Sequence, residues 1–196
     1  MSTETVELFY AILAILAFLS VALVVIIRLV AIGSARAHGW YRTIGGVFEP
    51  NAVGMAFVVA MLATIGSLYF SEIAHFEPCR LCWYQRIAMY PLVVILGIAA
   101  VRRDAGIGLY VRVLAAIGAL ISVYHLALEW IPALDTGACG VGPSCTVIWF
   151  RALGFVSLPT LALAAFLLIF TLLSLRGPDA TDGDPADERD HDRSPA

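Results

Sequence analysis

The sequence predicts an all-α integral membrane protein, made of a four-helix transmembrane bundle plus one extra N-terminal transmembrane helix. Of the 196 residues, 61% are hydrophobic and the mean hydropathy is +0.89, values that exclude an ordinary soluble domain. A helix needs about 20 apolar residues to cross a bilayer, and five stretches approach or exceed that length. They are residues 8–27, 51–71, 83–101, 108–130 and 152–175. Five such stretches in so short a chain make a compact soluble core a poor explanation.

The first stretch is predicted to stand apart from the others. Residues 1–50 are expected to contain the extra transmembrane helix and a cytoplasmic linker. The residues before the apolar run are acidic rather than basic, and the run itself is too long for the apolar part of a cleaved signal peptide. We therefore predict that this segment stays in the protein as a helix.

The other four stretches, within residues 51–176, are predicted to form a bundle with two outer cysteine loops. Only residues 102–107 separate the third stretch from the fourth, and so short a connection makes those two helices antiparallel neighbours. Residues 177–196 carry seven acidic residues, two arginines and three prolines. Such a composition cannot bury enough apolar surface to fold, so we predict a disordered acidic cytoplasmic tail.

The arginines predict the orientation of the chain, which contains no lysine. If the five stretches alternate in direction, nine of the 12 arginines fall on one side of the membrane and Arg80, Arg86 and Arg151 on the other. The positive-inside rule makes the arginine-rich side cytoplasmic. The chain is therefore predicted to be a multi-pass protein of the cell (plasma) membrane with a cytoplasmic C-terminus. All four cysteines then lie on the outer side, where disulfides persist.

The first cysteine pair, Cys79 and Cys82, stands where the third helix is predicted to begin. Pro78 suits a helix boundary, and we expect the helix to start near Cys82. The free N–H groups and the positive end of the helix then point towards the sulfurs, which lowers the pKa of a thiol and populates its thiolate. Arg86 lies on the same helix face, about 6 Å deeper. An arginine in a membrane helix is a candidate functional residue, the alternative being an anchor directed at lipid headgroups.

The second pair, Cys139 and Cys145, is separated by five residues that include two glycines and a proline. A disulfide could close this small ring in a loop with almost no helix or strand pattern. The disulfide could be presented to successive partners, or it could be a static brace across the loop. Four cysteines could also bind zinc, but the wide second spacing is loose for a Cys₄ site and an oxidising compartment favours disulfides. We therefore predict no metal site.

A longer block around the first pair is similar to a known family. The block is residues 69–91, YFSEIAHFEPCRLCWYQRIAMYP. Shorter supporting segments are Tyr124-His125, Ile131-Pro132, Gly154-Phe155 and Leu158-Pro159. Over about residues 50–175 the chain resembles the DsbB/BdbC family of disulfide-bond formation proteins, with the closest likeness to the BdbC-like branch. The extra first helix and the short second cysteine spacing depart from the family pattern.

The resemblance implies a membrane thiol:quinone oxidoreductase. Such an enzyme reoxidises an extracytoplasmic thioredoxin-like disulfide oxidase (DsbA- or BdbD-like), passes the electrons to a membrane quinone, ubiquinone or menaquinone, and so supports disulfide bond formation in exported proteins. The resemblance also implies two redox-active disulfides, Cys79–Cys82 and Cys139–Cys145. Cys139 would form the mixed disulfide with the partner, Cys145 would attack the first pair, and Cys82 would face the quinone ring.

Two further residues match the quinone site of the family. Arg86 could stabilise negative charge as the quinone is reduced, and His125 occupies the position of a family histidine near the quinone. For His125 the alternative is plain packing within its helix.

Three other functions remain as alternatives. A vitamin K epoxide reductase-like enzyme also links thiols and quinone, but there the loop cysteines precede the Cys-x-x-Cys motif. A non-enzymatic membrane protein could carry two structural disulfides. A transporter would need more buried ionisable residues than these segments offer. The chain has no basic patch of the kind that binds nucleic acid.

Overall fold

The computed structural model describes residues 2–33, 39, 46, 51–104, 106–135, 137, 139–140 and 143–175. Most of the predicted cytoplasmic linker and the predicted tail at 177–196 lie outside these residues. The part of the chain that the structure describes is helical and contains no named strand. Its α-helices are α1 (Thr3–Gly33), α2 (Ala52–Leu68), α3 (Arg80–Arg102), α4 (Gly108–Trp130) and α5 (Leu158–Ser174). A π-helical turn, Tyr69–Ile73, extends α2, and a 3₁₀ turn, Pro132–Leu134, follows α4.

The lengths of these helices match membrane spans. Helices α1, α2 with its π-helical turn, α3 and α4 are each long and apolar enough to cross a membrane. Helix α5 is a shorter apolar helix of 17 residues, about 25 Å long. The chain is therefore a multi-pass, all-α membrane protein, which confirms the predicted fold class.

Helices α2 to α5 form the bundle. Helix α2 packs on α3, α3 on α4, α4 on α5, and α5 back on α2, while α1 packs along the outside of α5. The core contains many small side chains, among them Ala56, Ala88 and Ala115, which let membrane helices approach closely. Phe166 of α5 is fully buried, and its ring lies so close to Gly118 of α4 that a Cβ there would collide with it. This close packing fixes α4 and α5 relative to each other.

Helix α3 begins two residues earlier than the sequence suggests. Arg80 is its first residue, and Cys79 is the N-cap, with an extended backbone at φ −71° and ψ 174°. The Sγ of Cys79 accepts a hydrogen bond from the backbone N–H of Cys82 at 3.4 Å. A sulfur thus takes the role that a serine or aspartate oxygen usually has at an N-cap.

Helix α5 begins at Leu158, six residues after the start of the apolar stretch 152–175. Residues 152–156 form a tight turn closed by an isolated bridge, and the helix starts only at Leu158. Leu153 and Gly154 adopt positive φ angles of 54° and 83°, which are incompatible with a right-handed helix. Pro159 suits the first turn, where its missing N–H removes no helical hydrogen bond.

Candidate active site

The first cysteine pair lies at the end of the bundle where α3 begins and α4 ends, which we call the cysteine end. Cys79 is buried and Cys82, in the first turn of α3, is half-buried. Both are free thiols, and their sulfurs are 3.2 Å apart. At that separation the two thiols share a hydrogen bond, and a small approach would bring them to the roughly 2.05 Å of a disulfide bond.

The imidazole of His125, on α4, lies against the same pair. Its Nε2 is 3.7 Å from the Sγ of Cys79, and the residue is buried. The hydrogen bond from the Cys82 thiol, helped by the neighbouring imidazole, lowers the pKa of the Cys79 thiol to about 4, although burial opposes the shift. Cys79 therefore carries the thiolate of the reduced pair.

The second cysteine pair packs against the first. Cys139 and Cys145 form a disulfide, which confirms the predicted pairing. Both are buried in one cluster with Cys79, Leu81 and Leu128. The cluster places a disulfide beside a thiol pair in surroundings that exclude water. This position is compatible with thiol–disulfide exchange between the two pairs.

Arg80 covers the loop that carries the disulfide. Gly140 has a φ of 60°, in the left-handed region that favours glycine, and a Cβ there would collide with the guanidinium of Arg80. The backbone conformation therefore favours glycine after Cys139, and a larger residue there would have to displace the Arg80 side chain.

A cavity of about 220 Å³ lies between α1, α2, α3 and α5, just inside the cysteine end. Its walls are mostly apolar. The polar side chains that reach it include Ser67, Ser71, Glu77, Cys82, Gln85, Arg86 and Tyr90. Cys82 is among the described lining residues, whereas Cys79 and His125 are not. Cys82 thus borders both the cysteine cluster and the cavity, whereas Cys79 belongs to the cluster and does not line the cavity.

Arg86 lies in the wall of this cavity and is held by α2. Its Nε donates to the Oγ of Ser67 and its Nη2 to the backbone carbonyl of Ser67, both at 3.0 Å. The guanidinium also lies over the ring of Trp83, 5.3 Å from the centroid. These contacts fix a positive charge one turn from Cys82, where it would stabilise negative charge on a molecule in the cavity.

Aromatic rings cover the cavity at the cysteine end. Phe76 stacks on Trp149 with ring centroids 5.1 Å apart, and on Phe70 with centroids 5.8 Å apart. All three residues line the cavity and belong to the segments that follow α2 or precede α5. The stacked rings therefore form part of the cavity wall at the cysteine end.

The structure brings the predicted site residues together at one end of the bundle. The residues adjoining one another there are Cys79, Cys82, Cys139, Cys145 and His125. Arg86 lies one turn deeper. His125, predicted near a quinone, contacts Cys79 and is not among the described residues of the cavity wall. Its role at a quinone stays a prediction.

Sequence reasoning missed Ser67 and Gln85. Gln85 is buried, lines the cavity and donates to the Oγ of Ser122 at 3.1 Å. A polar residue within an apolar stretch, three positions after Cys82, was an available signal for it. No comparable signal marks Ser67, because its role depends on how α2 is rotated against α3.

The donor atoms of Cys79, Cys82 and His125 lie within 4.8 Å of one another, a set that could hold a metal ion. Two thiols in contact are also the reduced form of a disulfide, and that is the chemistry that the sequence predicts for this pair. The expected absence of a metal here stays a prediction.

The chain is similar to known disulfide bond formation proteins. The family model for disulfide bond formation protein DsbB matches residues 49–175. Disulfide bond formation protein C of Bacillus subtilis is 47% identical over 121 residues, a match that covers 61% of this chain and 88% of the relative. A probable disulfide formation protein C 1 of Bacillus cereus is 51% identical over 123 residues, a match that covers 62% of this chain and 88% of that relative. A probable disulfide formation protein of Oceanobacillus iheyensis is 43% identical over 124 residues, a match that covers 62% of this chain and 86% of that relative. No solved structure matches the chain.

Proposed function

The chain belongs to the DsbB family of disulfide bond formation proteins, and from this premise we propose that it is a membrane thiol:quinone oxidoreductase. In this proposal it reoxidises an extracytoplasmic thioredoxin-like oxidase and passes two electrons to a membrane quinone. One observation supports the proposal above the others. Both cysteines of the first pair, with sulfurs 3.2 Å apart, pack with the Cys139–Cys145 disulfide, and Cys82 also lines the cavity that contains Arg86.

The first step is exchange with the partner. A thiolate of the reduced partner attacks the Sγ of Cys139, the Cys139–Cys145 bond breaks, and Cys145 leaves as a thiolate. The second partner thiol then attacks its own sulfur in the mixed disulfide and releases the oxidised partner. The loop pair thereby gains two electrons and two protons. Because Cys139 is buried, the loop has to open for this attack.

The second step is exchange between the two pairs. The thiolate of Cys145 attacks the Sγ of Cys79 in the Cys79–Cys82 disulfide and expels Cys82. Cys139 then attacks Cys145, which restores the loop disulfide and leaves Cys79 and Cys82 as thiols. Free thiols beside a closed loop disulfide, as in the structure, correspond to the state after this exchange.

The cavity fits a quinone by its chemistry. Apolar walls suit a ring and an isoprenoid tail, and the guanidinium of Arg86, held by Ser67, would stabilise negative charge on a ring oxygen. A quinone bound there would supply the acceptor for two electrons and two protons. The hydrogen bond between the two sulfurs gives one proton a direct path between Cys79 and Cys82.

Turnover with purified components tests the proposal. The protein in detergent should reduce a soluble short-chain quinone at the expense of a reduced thioredoxin-like oxidase. Cys82→Ser should abolish turnover, and Arg86→Ala should raise the KM for quinone and leave the KM for the partner unchanged. Arg112→Ala is the matched control, because this arginine bonds the Gly108 carbonyl within α4. Unaltered turnover in Cys82→Ser would refute the scheme.

A trapping experiment tests the proposed order of attack. Cys145→Ser should accumulate a covalent adduct between Cys139 and the partner, visible on a non-reducing gel. An adduct that instead requires Cys145 would mean that the two loop cysteines have exchanged roles. Labelling of the reduced protein in intact cells with a membrane-impermeant maleimide tests the orientation. Loop cysteines that are labelled in permeabilised cells but not in intact cells would place this end of the bundle on the cytoplasmic side.

A further inference from the structure

Helix α1 contributes directly to the cavity that Cys82 and Arg86 line. The residues of α1 in the cavity wall are Tyr10, Leu13, Ala14 and Ala17. Their spacing of three and four places them on one face of the helix. Other positions of α1 are open, since Leu16 is 55% and Leu19 61% exposed. Helix α1 therefore turns one face to the cavity and another away from the protein.

Contacts near both ends hold α1 in this position. The hydroxyl of Tyr10 donates to the backbone carbonyl of Leu62 at 3.2 Å, and its ring lies against Gly66, where a Cβ would collide with it. Towards the other end, a guanidinium nitrogen of Arg28 donates to the backbone carbonyl of Ser174, the last residue of α5. The helix is thus bonded to α2 at one end of the bundle and to α5 at the other.

Small side chains bring α1 close to α5 between these two contacts. Ala14 and Ala17 pack on Ala164 of α5. Leu13, one position before Ala14, is half-buried and lines the cavity with a side chain larger than that of either alanine. Because the Tyr10 hydroxyl is bonded to α2, the surface that α1 offers to the cavity is essentially apolar.

We infer that α1 is a wall of the quinone site, and that Leu13 contacts the bound quinone and sets its affinity. The inference rests on the proposed function. The ring of α2 to α5 supplies the sulfur and the charge of the site, and α1 supplies apolar surface on the side facing away from the bundle. An apolar ligand gains affinity from each apolar contact, and a larger side chain at Leu13 would occupy the same volume.

Paired substitutions on α1 test this inference. Leu13→Trp should weaken the binding of a short-chain benzoquinone by tenfold or more, measured by equilibrium dialysis, and should raise the KM for that quinone in parallel. Leu16→Trp, one turn on at an exposed position, is the matched control and should change neither quantity. The rate at which a small dithiol reduces the Cys139–Cys145 disulfide should be the same in both variants, because the change lies in the cavity.

The outcomes separate the inference from the proposed function. A parent protein that neither binds nor reduces quinone would overturn the proposed function. A parent that does both, with equal binding in Leu13→Trp and Leu16→Trp, would overturn the role of α1. If Leu13→Trp fails to fold, Leu13→Ala replaces it. That variant should bind about fourfold more weakly, as expected when about one of the three carbons removed had been in contact with the quinone, and unchanged binding would again refute the inference.

Discussion

Removal of the Cys82 thiol should raise the pKa of Cys79 from about 4 towards the ordinary range of a thiol. The hydrogen bond from Cys82 is the largest cause of the depressed pKa, and the His125 imidazole contributes less. Cys82→Ala should therefore shift the titration further than His125→Ala. Burial opposes the thiolate in both variants and adds to each upward shift.

The expected effect is large. At about pH 6, a thiol with a pKa of about 4 is ~99% thiolate, whereas one with an ordinary pKa near 8.5 is ~0.3% thiolate. Because the pKa of Cys79 is depressed, the thiolate is present above about pH 4 and is lost as the pH falls through that value. With the partner thiol removed, the same loss should occur at a higher pH.

The ultraviolet absorbance of the thiolate measures this directly and needs no reagent to enter the buried site. Cys139 and Cys145 are replaced by serine, so that only the first pair titrates, and the reduced protein is titrated from about pH 3 to 7. The parent should show a transition near pH 4 that is missing from this range in Cys82→Ala. A parent protein with no thiolate signal below about pH 7 would refute the assignment of the charge to Cys79.

Two further predictions concern contacts between helices. Ser67→Ala should raise the KM for quinone about threefold, because an interhelical hydrogen bond in a membrane protein is worth ~0.6 kcal/mol on average. Ser67→Thr keeps the hydroxyl and should keep the parent KM. Equal KM values in all three proteins would show that the Ser67 hydroxyl does not position Arg86. Gly118→Val should lower the free energy of unfolding by about 1–3 kcal/mol in a denaturant titration, because the new side chain collides with Phe166. Gly54→Ala should not lower it, because no atom lies within 4 Å of the new Cβ. Equal stability of the two variants would contradict the packing described for α4 and α5.

Composition predicts most of this fold because a bilayer leaves few alternatives. An apolar stretch of sufficient length has to be helical there, since every backbone N–H and C=O must find a partner within its own segment. The bounds of α4 at Gly108 and Trp130 therefore follow from hydropathy alone. The start of α5 does not, because residues 152–157 are also largely apolar and only their backbone angles end the helix. Those angles depend on packing that no hydropathy window contains.

The site could be predicted as far as it is local in sequence. The spacing of Cys79, Cys82 and Arg86 on one helix fixes their relative positions, and the loop pair closes on itself. The contacts that decide their environment run between helices. The carbonyl of Ser67 bonds Arg86, and the His125 imidazole meets Cys79, because of rotations about helix axes that spacing does not encode. The contribution of α1 to the cavity was missed for the same reason.

Of the first pair, only Cys82 lines the cavity, and this position limits the routes by which electrons could bypass the first pair. Neither Cys139 nor Cys145 is among the described residues that line the cavity. In the proposed scheme, a quinone in the cavity would therefore contact Cys82 and neither loop cysteine. Electrons from the partner would then have to pass through the first pair to reach the quinone, and a covalent inhibitor at Cys82 would stop turnover while leaving the loop cysteines chemically intact.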